Sequence, residues 1–299
     1  MNRSTTTSPA RTLRHLLATD ELITAPGVYD GISASAVRAL RFSAAYMTGA
    51  GVAASGFGLP DIGLTSLAEM VDRARMLATT LGEIPLIADA DTGYGNVVNV
   101  TRTIREYEQA GVAAIQLEDQ AFPKKCGHLP DKELITADEF CDRLAAALEA
   151  RTDPDLVIIA RTDARGPLGL DEAITRANRY AEAGADVIFV EAPRSHEEIA
   201  RIATEVSAPL LLNVVIGGLT PSVDESTLRA LGYRLAIHPT TPLLAATTAM
   251  QKELQKLGGA RGIADDAGTS PTAFFELVGL REWAQIGEKF RVSNLGEQP

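Results

Sequence analysis

Eight short apolar runs set the outline of this chain, each followed by a polar or glycine-bearing turn and then by a segment whose apolar residues recur at helical spacing. They are Leu22 to Gly27, Ala44 to Thr48, Pro85 to Asp89, Ala113 to Leu117, Leu156 to Ala160, Asp186 to Val190, Pro209 to Leu212 and Arg234 to Ile237. Runs that are apolar throughout belong to parallel sheet covered on both faces. Eight of them in 299 residues favour a closed (β/α)8 barrel, the TIM barrel, over an open doubly wound sheet. Helix starts agree with the count. Ser66-x-x-Glu69, Thr136-x-x-Glu139 and Ser195-x-x-Glu198 have the spacing by which a hydroxyl and a carboxylate satisfy each other's backbone amides. We therefore expect one barrel domain over residues 1–299, opened by a short helix from about Thr12 to Ala18. After the eighth strand, Leu243 to Leu257 reads as a helix. Residues 258–299 read as a helical extension, in which a glycine-rich stretch precedes an amphipathic segment from Ala273 to Phe290.

Charge and cysteine usage narrow the function. With 28 Lys and Arg against 39 Asp and Glu, the net charge of −11 repels a phosphate backbone and gives an anionic membrane nothing to hold. No apolar run is long enough for a signal peptide or a span, and Cys126 and Cys141 form no paired framework. A cytoplasmic protein with reduced thiols is expected, without nucleic-acid or membrane partners.

In a barrel of this kind the carboxyl ends of the strands form the active face. Here they are heavily polar: Tyr46 and Thr48, Asp89 and Asp91, Glu118 and Asp119, Arg161 and Asp163, Glu191, Asn213 and His238. Any one of these could simply mark where a strand meets solvent, but the set places several acids and an arginine at one mouth. Asp89 and Asp91 are two apart on one run, so both should face the mouth, and an all-oxygen pair suits Mg2+. The loop 124-KKCGH-128 flanks Cys126 with Lys124, Lys125 and His128, which favours thiolate character, although a surface cysteine with chance basic neighbours fits as well. Arg161 is suited to clamp a planar anion or, equally, to pair with a strand-end acid. A weak dinucleotide-type match, Gly49-x-Gly51-x-x-Ala54, is followed by SGFGLPD rather than by a helix, which makes a dehydrogenase a poor reading.

Taken together, 46-YMTGAGVAASGFGLPDIGL-64, 89-DADTGYGN-96, 116-QLEDQ-120, 124-KKCGH-128, 160-ARTDA-164, 191-EAP-193 and Asn213 resemble the isocitrate lyase/phosphoenolpyruvate mutase superfamily, in order and spacing over roughly residues 11–255. Within it the Cys-Gly-His loop is similar to that of the branch holding 2-methylisocitrate lyases, 2,3-dimethylmalate lyases and carboxyphosphonoenolpyruvate phosphonomutase. The resemblance implies a barrel whose eighth helix is exchanged between subunits of a homodimer or homotetramer. It also implies a catalytic Mg2+, with Mn2+ as a substitute, that holds a small-molecule carboxylate substrate. Carried onto this chain, Asp89, Asp91 and Glu118 would organise the metal with Asp61 nearby, and Thr48, Gly49 and Ala50 would hold the substrate carboxylate. Arg161 would bind that carboxylate or the developing enolate. Gly127, Glu191 and Asn213 would line the substrate site. Cys126 and His128 would act from a loop that closes over it, and Tyr46 is the residue to test for removal of the hydroxyl proton.

The activity so implied is a carbon–carbon lyase that cleaves a 2-hydroxy di- or tricarboxylate to pyruvate or another 2-oxo acid plus a carboxylate. The rivals are a phosphonomutase, an oxaloacetate hydrolase and a barrel that binds a diacid without turning it over. One departure bears on this choice: Ile216 stands where the lyases resembled carry glutamate, which would remove a charge from the pocket.

Overall fold

A computed structural model describes residues 8–127, 129, 131–257, 274–276 and 278–290. Within them the strands β1 (Ile23–Val28), β2 (Ala45–Met47), β3 (Leu86–Asp89), β4 (Ala114–Glu118), β5 (Val157–Thr162), β6 (Val187–Val190), β7 (Leu210–Asn213) and β8 (Tyr233–His238) pair in parallel and in chain order. β8 returns to β1, with Ile23 opposite Leu235 and Pro26 opposite His238, so the sheet is a closed barrel. The eight expected runs are these eight strands, displaced by a residue or two at their ends.

Helices α1 (Pro9–Leu17), α2 (Gly31–Ala39), α3 (Gly49–Phe57), α4 (Leu67–Leu81), α5 (Val97–Gln109), α6 (Ala137–Ala150), α7 (Leu170–Glu182), α8 (His196–Glu205), α9 (Glu225–Ala230) and α10 (Thr241–Lys256) accompany them, with α11 (Leu280–Phe290) near the end of the chain. The glycine-rich stretch and residue 273, where the sequence reading began its last amphipathic segment, lie outside the described residues.

Side chains alternate across each strand, so the barrel carries two apolar layers. Ile23, Ala25, Ile87, Ala114, Val157, Ile159, Val187, Phe189, Leu211, Leu235 and Ile237 fill the interior. Their neighbours in sequence, among them Leu86, Ala88, Ile115, Ile158, Ala160, Ile188 and Leu212, pack outward against the helices. The interior is plugged at its lower end by α1, whose Ala10 and Leu13 belong to the inner cluster. Arg14 of α1 donates to the carbonyls of Asp155 and Leu156 and to Asp186 Oδ1 at 3.0–3.1 Å.

Two local expectations need correction. The full reciprocal capping box forms only at Ser66 and Glu69 of the three sites named above. Thr136 and Ser195 do cap their helices, but Glu139 turns to Arg143 and Glu198 to Arg165 and the Arg194 amide, because a guanidinium in reach is a stronger partner than the cap's own amide. The segment beginning Gly49-Ala50-Gly51 is itself helical: it opens α3, with the Thr48 hydroxyl accepting from the Gly51 amide at 3.2 Å.

Candidate active site

The inward register that fills the barrel with Val, Ile and Leu ends, strand by strand, in polar residues. Continuing it by twos gives Tyr46 on β2 and Thr48 just after it, Asp89 on β3, Gln116 and Glu118 on β4, Arg161 on β5 and Asp163 just after it, Glu191 after β6 and Asn213 on β7, all buried. Asp119 is out of this register. It lies between barrel and helices, accepting from Thr162 Oγ1, the Asp163 amide, Tyr180 Oη and Arg176 Nη1, and takes no part in the mouth. His238 ends β8 half-buried, with burial pushing its imidazole down; the neighbouring Pro239 and Thr240 line the cavity instead.

The acids at the mouth form one cluster. Asp89 accepts from the Gly49 amide at 3.2 Å and from the Asp91 amide at 3.0 Å, which ties the start of α3 to the end of β3. The two carboxylates converge, but not through strand alternation: β3 ends at Asp89, and Asp91 has a left-handed φ of 48°. The approach at Gly49 is so close that a Cβ there would lie 2.7 Å from Asp89 Oδ2 and 3.5 Å from Asp91 Oδ1, so no side chain fits. Lys124 reaches into the cluster, its buried ammonium bound to Asp61 and 2.8 Å from Asp91 Oδ1. Burial works against that charge, but Asp61, Asp91, Glu118 and Asp89 outweigh it and keep the amine protonated. Burial pushes the Asp91 carboxyl up to about 6; Lys124 opposes the rise, while Asp89 and Asp61 add to it. Burial likewise raises Glu118, against the pull of Arg161.

Arg161 Nε and Nη2 grip Asp163 Oδ2 and Oδ1 at 2.9 and 3.0 Å, while Nε stands 3.4 Å from Glu118 Oε2 and the guanidinium lies over the Phe189 ring. The arginine is thus both things the sequence allowed, paired with a strand-end acid and open to the cavity. Asn213 Nδ2 donates to both Glu191 oxygens at 3.3 Å, and its buried Oδ1 accepts no hydrogen bond.

The loop after β4 closes over this floor. Its base is held by Gln120, which accepts from the Lys125 amide at 2.9 Å and donates to the Lys125 carbonyl at 2.8 Å, and the Cys126 amide donates to the Asp61 carbonyl at 3.0 Å. Gly127 lies against Arg161 and Glu191: a Cβ there would be 2.4 Å from Arg161 Nη2 and from Glu191 Oε1. Cys126 joins Tyr46, Thr48, Ala50, Asp61, Asp89, Lys124, Arg161, Glu191 and Asn213 around one cavity of ≈40 Å³. His128 lies outside the described residues.

Tyr46 does not suit the role of base. Its phenol donates to Gln116 Oε1 at 3.0 Å, and burial, with Asp89 close by, pushes it well above its ordinary value, so it keeps its proton. Ile216 is also not where the sequence suggested. It is 60% exposed on the loop after β7, and Val215 faces the cavity in its place, so the missing glutamate leaves no gap in the pocket wall.

Three contributors were not singled out from sequence. Gln116 could have been found from the inward register of β4. Lys132 carried no signal beyond a basic loop, and Lys124, read from sequence as a neighbour of the Cys126 thiol, sends its ammonium to Asp61 and Asp91 instead. Phe275, from near the end of the chain, lines the cavity fully buried, and no local pattern announces that.

The residues present fit a hard divalent cation. They offer carboxylate oxygens only, buried and crowded, and Asp91 Oδ1 accepts no hydrogen bond although Lys124 Nζ is 2.8 Å away. Among the described residues no group of three His, Cys, Asp or Glu side chains is arranged to hold a metal ion.

A closed (β/α)8 barrel whose mouth gathers acids, a gripped arginine and a thiol-bearing loop has the architecture of a barrel enzyme with its chemistry at the carboxyl ends of the strands. More particularly, the chain belongs to the phosphoenolpyruvate phosphomutase family, whose model matches residues 13–257. It is 44% identical to 2,3-dimethylmalate lyase of Eubacterium barkeri over 94% of this chain and 98% of that one. It is 41% identical to 2-methylisocitrate lyase of Aeropyrum pernix over 92% of this chain and 89% of the relative. Among solved structures, oxaloacetate acetylhydrolase in complex with 3,3-difluorooxalacetate superposes with a TM-score of 0.82 at 41% identity, covering 94% of this chain and 97% of that one. No helix among the described residues is long and apolar enough to cross a membrane.

Proposed function

We propose that this protein is a Mg2+-dependent lyase that cleaves the C2–C3 bond of a 2-hydroxy dicarboxylate or tricarboxylate, of the alkylmalate or 2-methylisocitrate type, releasing pyruvate or another 2-oxo acid and a carboxylate. The observation that carries the reading is the seating of Gly127 on Arg161 and Glu191, which delivers Cys126 to the cavity that the acid cluster floors. The resemblance to 2,3-dimethylmalate and 2-methylisocitrate lyases supports the same substrate class.

Asp89, Asp91 and Asp61, with Glu118, would hold Mg2+, or Mn2+ in its place. Bound there, the ion would neutralise the cluster and polarise the α-oxygen of the substrate. The substrate's 1-carboxylate lies against Thr48, Gly49 and Ala50 at the start of α3, where the Thr48 hydroxyl can donate although the Gly49 amide is taken by Asp89 and the Thr48 amide by the Val28 carbonyl. Arg161, held in orientation by Asp163, stabilises the negative charge that develops on the 2-oxo acid as the bond breaks, a preorganised electrostatic contribution. Asn213 and Glu191 hold the remaining polar groups. Cys126, with His128 beside it in sequence, gives its proton to the carbanion of the departing carboxylate. Tyr46, held protonated, gives its O–H to Gln116 and presents its oxygen to the cavity as an acceptor. The same reading takes the protein as a homodimer or homotetramer in the cytoplasm, with the eighth helix exchanged. Met250, Leu254 and Leu257 are exposed along or just beyond α10, at a spacing that suits cover by a second copy.

Incubation with Mg2+ and 2,3-dimethylmalate, other alkylmalates, 2-methylisocitrate or oxaloacetate, following pyruvate and oxalate, tests the reading. Pyruvate is expected from the wild type, with a loss of at least about 100-fold in Cys126→Ser and Asp91→Ala. Oxalate from oxaloacetate with no pyruvate from any malate would replace the lyase by a hydrolase, a reading favoured by the oxaloacetate acetylhydrolase likeness. Silence across the panel would move the reading to phosphonates, followed by phosphorus NMR, or to a binding role.

A further inference from the structure

The catalytic cavity, of ≈40 Å³, and a second cavity of ≈460 Å³ both have Gly127 in their lining, so the loop backbone at this residue is the wall between them. What holds that wall fixes how the loop carrying Cys126 meets the acid cluster.

The holder is Lys132. Its side chain is buried at 4% exposure, and Nζ donates to the Gly127 carbonyl at 2.6 Å and to Asp163 Oδ1 at 2.8 Å. Asp163 is the carboxylate that Arg161 grips with two N–H groups. One ammonium thus joins the wall to the group that orients the arginine. The stem of Lys132 passes Gly166 closely, since a Cβ there would lie 3.5 Å from Lys132 Cε, so the amine is led to this point by packing as well as by charge. Charge-assisted hydrogen bonds in a water-poor setting are the strong ones, and this geometry concentrates two of them at the wall.

We propose that Lys132 is a positioning residue for the reaction: it latches the Cys126 loop shut and registers the closed loop to Arg161. The latch rests on the lyase reading only for the reaction it serves. Its test needs no substrate.

In a Cys141→Ser background, which leaves Cys126 as the thiol to be modified, the alkylation rate of Cys126 by iodoacetamide is measured for Lys132, Lys132→Met and Lys132→Arg. Measured well below the thermal transition, which is expected to fall because the Gly127 carbonyl and Asp163 Oδ1 lose a buried partner, Lys132→Met is expected to react about tenfold faster, and Lys132→Arg to return to within about threefold of the parent. With a turned-over substrate, kcat of the Met variant falls along with kcat/KM, and Arg restores part of it. Equal alkylation rates in Lys132 and Lys132→Met overturn the latch, as does an Arg variant no better than Met. If Lys132→Met does not fold, Lys132→Gln and Lys132→Arg replace it; the latch requires faster alkylation in Gln than in Arg, and equal rates overturn it. A latch that behaves as described in a protein inactive on every malate would refute the lyase reading alone.

Discussion

At the scale of single residues, the site is governed by how much charge is packed out of water. Asp91 shows this most directly. Its carboxyl is raised from 3.8 to about 6 by burial, so in the metal-free protein its contribution to stability is fully present below about pH 3.8 and is lost as pH rises through about 6. A divalent cation competes with that proton. Metal binding should therefore strengthen about fivefold from pH 5 to 6 and level off above about 7. Thermal shift at fixed Mg2+ or Mn2+ measures this, and Asp91→Asn should remove the slope; a shift independent of pH in the wild type would refute the assignment. The placement of Asp89 and Arg161 at the barrel mouth could be read from the sequence, because an acid and an arginine ending apolar strands have few other places to go, whereas Asp91 arrives there through a left-handed turn. The ammonium of Lys124 among those acids could not, since its reach depends on where a loop lands.

For an element, the question is which interactions are local enough to be encoded by spacing. The N-terminus of α4 is a local case: Ser66 accepts from the Glu69 amide, and Glu69 reaches back to the Ser66 amide at 2.7 Å. Ser66→Ala should cost about 1 kcal/mol, read as a lower urea midpoint with kcat unchanged. A loss of activity larger than the loss of stability would mean that α4 positions the site. Thr136 and Ser195 have the same spacing, yet their glutamates leave for arginines contributed by the helix itself or by a distant loop. A motif defines what is available to a cap; neighbours decide what is taken. The same distinction applies to α3, whose glycine-rich start looks unlike a helix until Thr48 caps it and Asp89 receives the Gly49 amide.

For the molecule as a whole, the barrel separates its stability from its chemistry along one axis. The lower end is closed by Leu13, fully buried in the inner cluster, and by Arg14 on the carbonyls of Asp155 and Leu156. Leu13→Ala should cost about 2–5 kcal/mol in denaturant unfolding while leaving KM and the metal response of the surviving native protein intact. Altered KM would show that the plug and the mouth are coupled through the core. The sequence by itself determined the strand count, the closed parallel sheet and the polar ring at its mouth. The first two follow from the number of runs that are apolar throughout, and the third from the period of two along a strand, a local rule that carries its inward residues to the same axis. The tertiary structure alone decided that Lys124 enters the acid cluster, that Lys132 ties Gly127 to Asp163, that Phe275 walls the cavity and that Ile216 turns outward. These are loop and chain-end destinations, fixed by contacts between segments far apart in sequence, and no spacing within either segment records where the other will be.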